Sequence, residues 1–227
     1  MTLAHAGFVT GPPVPTCDGR LVLTDHALTF LEHVPGRELE GRSDQEQRWI
    51  ASTLAAVHTT SGPDAGPSTA VFQADWLSPQ LQSLDAHPWL ASAIEAVRAE
   101  TDPLAVTWSV LHTDPAPEAF VHDDTTGITG LIDWAGAKRG PVLYDVASAV
   151  MYLGGPESAT AFPRGPLDTD ETGLLDAFRR FRGAAQGAYF AWRLAAHDLT
   201  GSVEQSDNGR GLDNARHGLA RLGLDVA

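Results

Sequence analysis

Residues 105–133 abandon the helical spacing that governs the sequence on either side of them. Three short runs rich in β-branched and aromatic residues follow one another, Ala105–Leu111, Ala119–His122 and Ile128–Ile132. Between the last two, Asp123-Asp124-Thr125-Thr126-Gly127 reads as a hairpin turn. A strand therefore delivers His112 and Asp114 into a loop, a hairpin follows, and Asp133 emerges at the end of its second strand. Two carboxylates converge at one mouth of a small sheet. One carboxylate beside a hydroxyl serves as a general base, and a second holds a divalent cation. His112, two residues before Asp114, is placed to brace the loop by bonding backbone.

Around this stretch the chain is mostly helical. Residues 1–20 read as a short helix or turn followed by an extended arm rich in Gly and Pro. Two strands are predicted at Leu21–Thr24 and Leu28–His33, joined by a tight turn at Asp25-His26. Ser43 with Glu46 three residues on is a capping box, opening a helix that carries Trp49, Ile50, Leu54 and Val57 and ends near His58. Residues 59–68 form a loop by composition. Residues 78–100 are predicted helical, with Pro88 marking a kink or a break. A helix runs from after Pro141 to about Leu153, and two more lie near 170–199 and 207–222. The fold class expected is α+β, a small sheet in front of a mostly helical body.

Charge narrows the partners. The 227 residues carry 15 Lys plus Arg against 29 Asp plus Glu, a formal net charge of −14. Nucleic acid and anionic membranes are poor partners for such a chain, because phosphate binding needs clustered basic side chains. A small molecule, cationic in preference, is easier to attract. Lys138 is the one lysine in the sequence. Cys17 has no second cysteine to pair with. The first residues lack a basic start followed by an apolar run, and nothing approaches the ~18 consecutive apolar residues of a membrane span. A cytoplasmic chain is expected.

His112-Thr113-Asp114, then Ile132-Asp133-Trp134, then Tyr144-Asp145-Val146-Ala147 after Gly140-Pro141, resembles the aminoglycoside phosphotransferase and choline kinase family. Phe30–Arg37 is similar to that family's interlobe hinge, Leu54–His58 to the helix end that follows it, and Tyr189–Arg193 to a late helix of the larger lobe. The resemblance implies a protein-kinase-like fold, with residues 1–36 a remnant of the small β lobe and hinge. Residues 37–227 would then be the helical C-terminal lobe with its catalytic-loop hairpin. It also implies Asp114 and His112 as the catalytic pair. Asp133, Trp134, Glu118, Tyr189, Trp192 and Arg193 would contact substrate, and Asp133 would be the ligand if Mg²⁺ binds. Core packing is the alternative reading for Trp134, Tyr189, Trp192 and Arg193.

Two departures weigh on function. About thirty residues precede the hinge, with no Gly-rich phosphate loop and no lysine among them; Arg20 is the nearest stand-in, and arginine differs from lysine in reach and geometry. The pattern H-x-D-x-x-x-x-N places Ala119 where an asparagine holds the second Mg²⁺, leaving Glu118 as the adjacent substitute. No cofactor is therefore expected, and the leading reading is ATP-independent acid–base chemistry by Asp114 on a small molecule. The alternatives are an ATP- or GTP-dependent phosphotransferase using Mg²⁺, and a non-catalytic binding pseudokinase. A sheet edge left at Leu21–Leu23 leads to the expectation of a homodimer.

Overall fold

In the computed structural model, which describes residues 3–23, 28–73, 77, 84–162, 169–200 and 204–226, Ser43 caps the first long helix as the sequence predicts. Its hydroxyl accepts the Glu46 N–H at 3.2 Å. The reciprocal half of the box is not made, because the Glu46 carboxylate turns to Arg37 Nη1 at 2.6 Å instead. This helix, α1 (Asp44–Thr60), runs two residues beyond the expected end. The Thr59 hydroxyl donates back to the Ala55 carbonyl at 2.9 Å within the last turn.

The chain divides into two compact units, one of residues 1–63, 110–138 and 149–166, the other of residues 64–109, 139–148 and 167–227. The first holds β1 (Arg37–Glu38), α1, and the hairpin β4 (Phe120–Asp123) and β5 (Ile128–Leu131). Its sheet order is β1-β4-β5, antiparallel throughout, with Glu38 opposite Val121 and Phe120 opposite Leu131. The Asp123 carboxylate closes the hairpin turn by accepting from the Thr125 N–H and the Thr126 hydroxyl. Ile50, Leu54 and Val57, spaced i, i+4, i+7, bury one face of α1. Trp49 stacks on the His122 ring of β4 at 3.6 Å. Gly36 takes a φ of +129° at the entry to β1, and a Cβ there would lie 2.5 Å from the His122 carbonyl oxygen.

The second unit contains β2 (Asp64–Ala65), α2 (Ala70–Gln73), α3 (Pro88–Thr101), most of β3 (Thr107–Leu111) and β6 (Lys138–Pro141), the start of α4 (Val142–Tyr152), α5 (Thr169–Thr172), α6 (Leu175–Ala196) and α7 (Gln205–Arg221). Its sheet order is β2-β3-β6. α6 packs against both α3 and α7. Phe72 meets Trp108, Tyr144 and Phe181 edge-on, with centroids 5.0–6.2 Å apart. Pro88 stands at the first turn of α3, where a missing N–H costs nothing.

The two early strands do not form as predicted. Leu23 and Leu28 make one isolated bridge, and the pairing of the 28–33 segment goes to the N-terminal arm, Pro13 to Leu31. Thr24 and the Asp25-His26 turn lie outside the described residues, as do positions 78–83 of the predicted helix. Phe30 and Leu31 are 60 % and 62 % exposed, and strands that bury so little gain too little to persist as a ladder. Among the described residues no helix is long and apolar enough to cross a membrane.

Burial pushes the Glu46 carboxyl up, but the Arg37 hydrogen bond and charge, with help from the backbone at Glu40 and Gly41, outweigh it and hold the group below its ordinary value of 4.5. A carboxylate so held stabilises the fold above the unfolded-state value and loses that contribution as pH falls through the folded one. Arg37→Ala is expected to lower the melting temperature at pH 7 by roughly 1–3 °C, with half of the arginine open to water. The difference should narrow as pH falls below 4.5 and close once pH is below the lowered folded-state value; a gap unchanged across that fall would assign the pair no role.

Candidate active site

β3 ends at Leu111 and hands the chain to His112, which is 1 % exposed. Its Nε2 lies 2.7 Å from the Ile132 carbonyl oxygen. A carbonyl only accepts, so this nitrogen carries the proton and donates. The ring is thus committed to bracing the turn that follows β5, and its edge meets Trp134 at 5.0 Å between centroids.

Thr113 then takes a φ of +75°, a conformation that branching at Cβ makes costly. The compensation is its hydroxyl, which donates to the Gly136 carbonyl at 3.0 Å. Gly136 is needed there, because a Cβ would stand 2.5 Å from the Thr113 oxygen. The reversal at Thr113 leaves Asp114 exposed at the surface of the loop. Its Oδ1 accepts the Tyr152 hydroxyl at the end of α4. Pro115 and Pro117 shape the next turn, closed by the Ala116 N–H to the Asp114 carbonyl and the Ala119 N–H to the Ala116 carbonyl, at 2.8 and 2.9 Å.

The partner turn starts from β5. Asp133 has a φ of +63°, one of the few side-chain types that tolerate it, and is solvent-exposed. Trp134 is anchored by its indole N–H on the Leu131 carbonyl at 2.7 Å. Asp133 and Trp134 line a cavity of about 1090 Å³ together with the segment predicted to be a hinge, Leu31–Val34 and Gly36, and with Gly11–Pro13 of the arm.

Ala119 is 6 % exposed, and its carbonyl accepts the Ile132 N–H at 2.9 Å. A buried methyl group has no lone pair for a metal. Glu118 points to solvent on the neighbouring residue. Arg20 is bound to Asp18 at 2.8 Å in its own turn and does not line the cavity. Among the described residues no group of three or more His, Cys, Asp or Glu is arranged to hold a metal ion. Asp133 lines the cavity together with Glu32 and Glu38, and the family's Mg²⁺-binding asparagine is replaced by Ala119.

The other predicted contacts belong to the second unit. Tyr189 and Trp192, on α6, are each 46 % exposed. Arg193 is buried, with Nη1 on the Tyr189 hydroxyl at 2.8 Å and Nη2 on the carbonyls of Thr200 and Asp198 at 2.6 and 3.2 Å. Its donors secure the segment after α6. Sequence reasoning missed Thr113, Gly136 and Tyr152. The glycine four residues after Ile132 was a usable signal for a close approach; the pairing of Tyr152 with Asp114, 38 residues apart, had none.

Gly136→Ala is expected to displace the Thr113 hydroxyl and destabilise the protein by about 1–3 kcal/mol in urea unfolding. Thr113→Gly should cost less, since the lost hydrogen bond is offset by relief of the backbone. Equal stability of Gly136→Ala and the parent chain would contradict this packing.

Comparison with known proteins agrees with the geometry. Residues 2–195 match the model of the phosphotransferase enzyme family. No curated protein matches the sequence. The fold is similar to amicoumacin kinase hAmiN, solved with AMP-PNP, Ca²⁺ and Ami, at a TM-score of 0.74 and 15 % identity over 96 % of this chain and 74 % of that one. It is also similar to choline kinase LicA from Streptococcus pneumoniae (TM-score 0.68, 15 % identity, 96 % and 77 % covered). A spectinomycin phosphotransferase solved with ADP and its antibiotic gives a TM-score of 0.64 at 12 % identity, with 98 % and 80 % covered. With the kinase-like turns in place and the model matching most of its length, the chain belongs to the phosphotransferase enzyme family.

Proposed function

We propose that this protein acts on a small molecule with Asp114 as the proton acceptor and without transferring phosphate from a nucleotide. The observation that carries the reading is Ala119. The catalytic-loop pattern of the family calls for a metal-binding asparagine there, and the position holds a buried methyl whose backbone is spent on Ile132. Phosphoryl transfer rests on electrostatic stabilisation of the moving group. Position 119 offers no metal ligand, and neither Lys nor Arg is among the described residues lining the cavity, which supports a reaction without that transfer.

Asp114 keeps what a general base needs. It is open to an incoming hydroxyl, amine or activated C–H, and the Tyr152 hydroxyl fixes its other side. His112 and Thr113 hold the loop against the 132–136 turn, so the carboxylate has a fixed station. Elimination, isomerisation and cyclisation each need one such base and a shaped pocket. The small-molecule ligands named for the amicoumacin and spectinomycin kinases support a small organic substrate.

A second reading, nucleotide-dependent phosphorylation of a small molecule, is favoured by one observation: the hinge-like segment and Asp133 share a single cavity. The two readings part in one assay. The chain is incubated with a pool of hydroxylated amines and other natural-product-like molecules, with and without Mg-ATP, and products are followed by mass. We expect consumption that is independent of ATP and falls about 10²-fold or more in Asp114→Asn. A product heavier by one phosphoryl group, formed with ATP alone, would establish the second reading and overturn the first.

A further inference from the structure

We infer that a second copy of this chain packs on the outer face of the paired segments 12–14, 21–23 and 28–32. The contact lies within the first unit and does not depend on which reaction the protein performs.

Backbone bonds set the register of these segments. Val9 offers its carbonyl to the Leu131 N–H at 2.9 Å, which lays the N-terminal arm along β5. Farther on, the Val14 N–H bonds the Phe30 carbonyl at 2.8 Å and the Glu32 N–H bonds the Pro12 carbonyl at 3.0 Å, with Pro13 opposite Leu31 between them. Leu23 and Leu28 exchange both of their backbone bonds, at 2.8 and 3.3 Å. Side chains alternate along each segment, so this register sorts them onto two faces. Pro13, Thr29 and Leu31 share the inner face, and all three line the cavity beside Asp133. Val14, Leu21, Leu28 and Phe30 share the outer face, and none of them lines that cavity.

The four outer residues are each at least 44 % exposed. Of the eleven large apolar side chains that stand exposed among the described residues, six fall between positions 14 and 31, so this is a patch and not ordinary scatter. The register places no charged residue among the four; Glu32 stands at one rim, and Asp18 and Arg20 pair with each other at 2.8 Å in the turn before Leu21.

Area and charge decide what covers the patch. The four side chains open about 400 Å² of surface, most of it apolar. Homodimer interfaces are about 65 % apolar, so a contact built on this face buries about 600 Å² of each copy and about 1,200 Å² in all, the lower bound for a specific pair. A second copy supplies that area with matching chemistry, because a flat uncharged face is complementary to itself across a two-fold axis, and such a contact closes at two. The two layers then pack face to face as sheets do. Each copy carries a net charge of −14, so their approach is opposed at long range and eased by salt. A basic partner of another kind would be held more loosely as salt rises.

The test is the mass of the full 227-residue chain in solution, followed by sedimentation and light scattering from about 1 to 200 µM. The mass is expected to climb from one chain to two across this range, as suits an interface of small area. The dissociation constant should fall several-fold between about 20 and 300 mM NaCl. Phe30→Glu and Val14→Glu, made separately at these exposed positions, should each weaken the pair at least about 100-fold while leaving the helical circular dichroism unchanged. Val71→Glu, an exposed apolar residue on α2, should leave the pair intact. A single-chain mass throughout, a dimer that survives both of the first two variants, or a mass that keeps growing past two chains would overturn the inference.

Discussion

Two side-chain hydrogen bonds to carbonyls hold the functional end of this molecule in register: His112 to Ile132 and Thr113 to Gly136. They join the loop after β3, which carries Asp114, to the turn after β5, which carries Asp133. The joint is dear in local terms, because Thr113 and Asp133 both sit at positive φ. Such strain persists where surrounding contacts over-determine it, and functional sites are where it collects. Here the over-determination is visible: an imidazole on Ile132, a hydroxyl on Gly136, the Trp134 indole on Leu131, and the Ile132 N–H on Ala119 all tie the same two turns together.

In the family pattern the residue at position 119 serves a metal. In this chain it serves the backbone, with a side chain small enough to be buried beneath the turn. Asp114 and the frame that fixes it are kept, while neither Lys nor Arg lines the cavity among the described residues.

The sequence made the hairpin, the helix caps and the later helices legible, because each has a local cause. Alternation with Asp-Asp-Thr-Thr-Gly marked the hairpin, Ser43 marked the start of α1, and Pro88, read as a kink or break within a helix over 78–100, stands at the start of α3. The brace by His112 was legible for the same reason, a buried ring two residues from a loop carboxylate. What stayed hidden depends on contacts distant in sequence. The arm pairs by backbone alone with β5 and with the 30–32 segment, and backbone has no composition to read. That pairing also took Leu31 from its expected partner strand. Thr113 runs against its own preference, so propensity pointed the wrong way at the residue where the loop reverses.

The most direct test of this account is the heat of binding of Mg-ATP to the full 227-residue chain in isothermal titration. The account predicts no detectable binding up to millimolar nucleotide, since neither the metal position at 119 nor the cavity charge favours it. Binding in the micromolar range would contradict it, and would mean that the phosphates find their counter-charges elsewhere in the molecule.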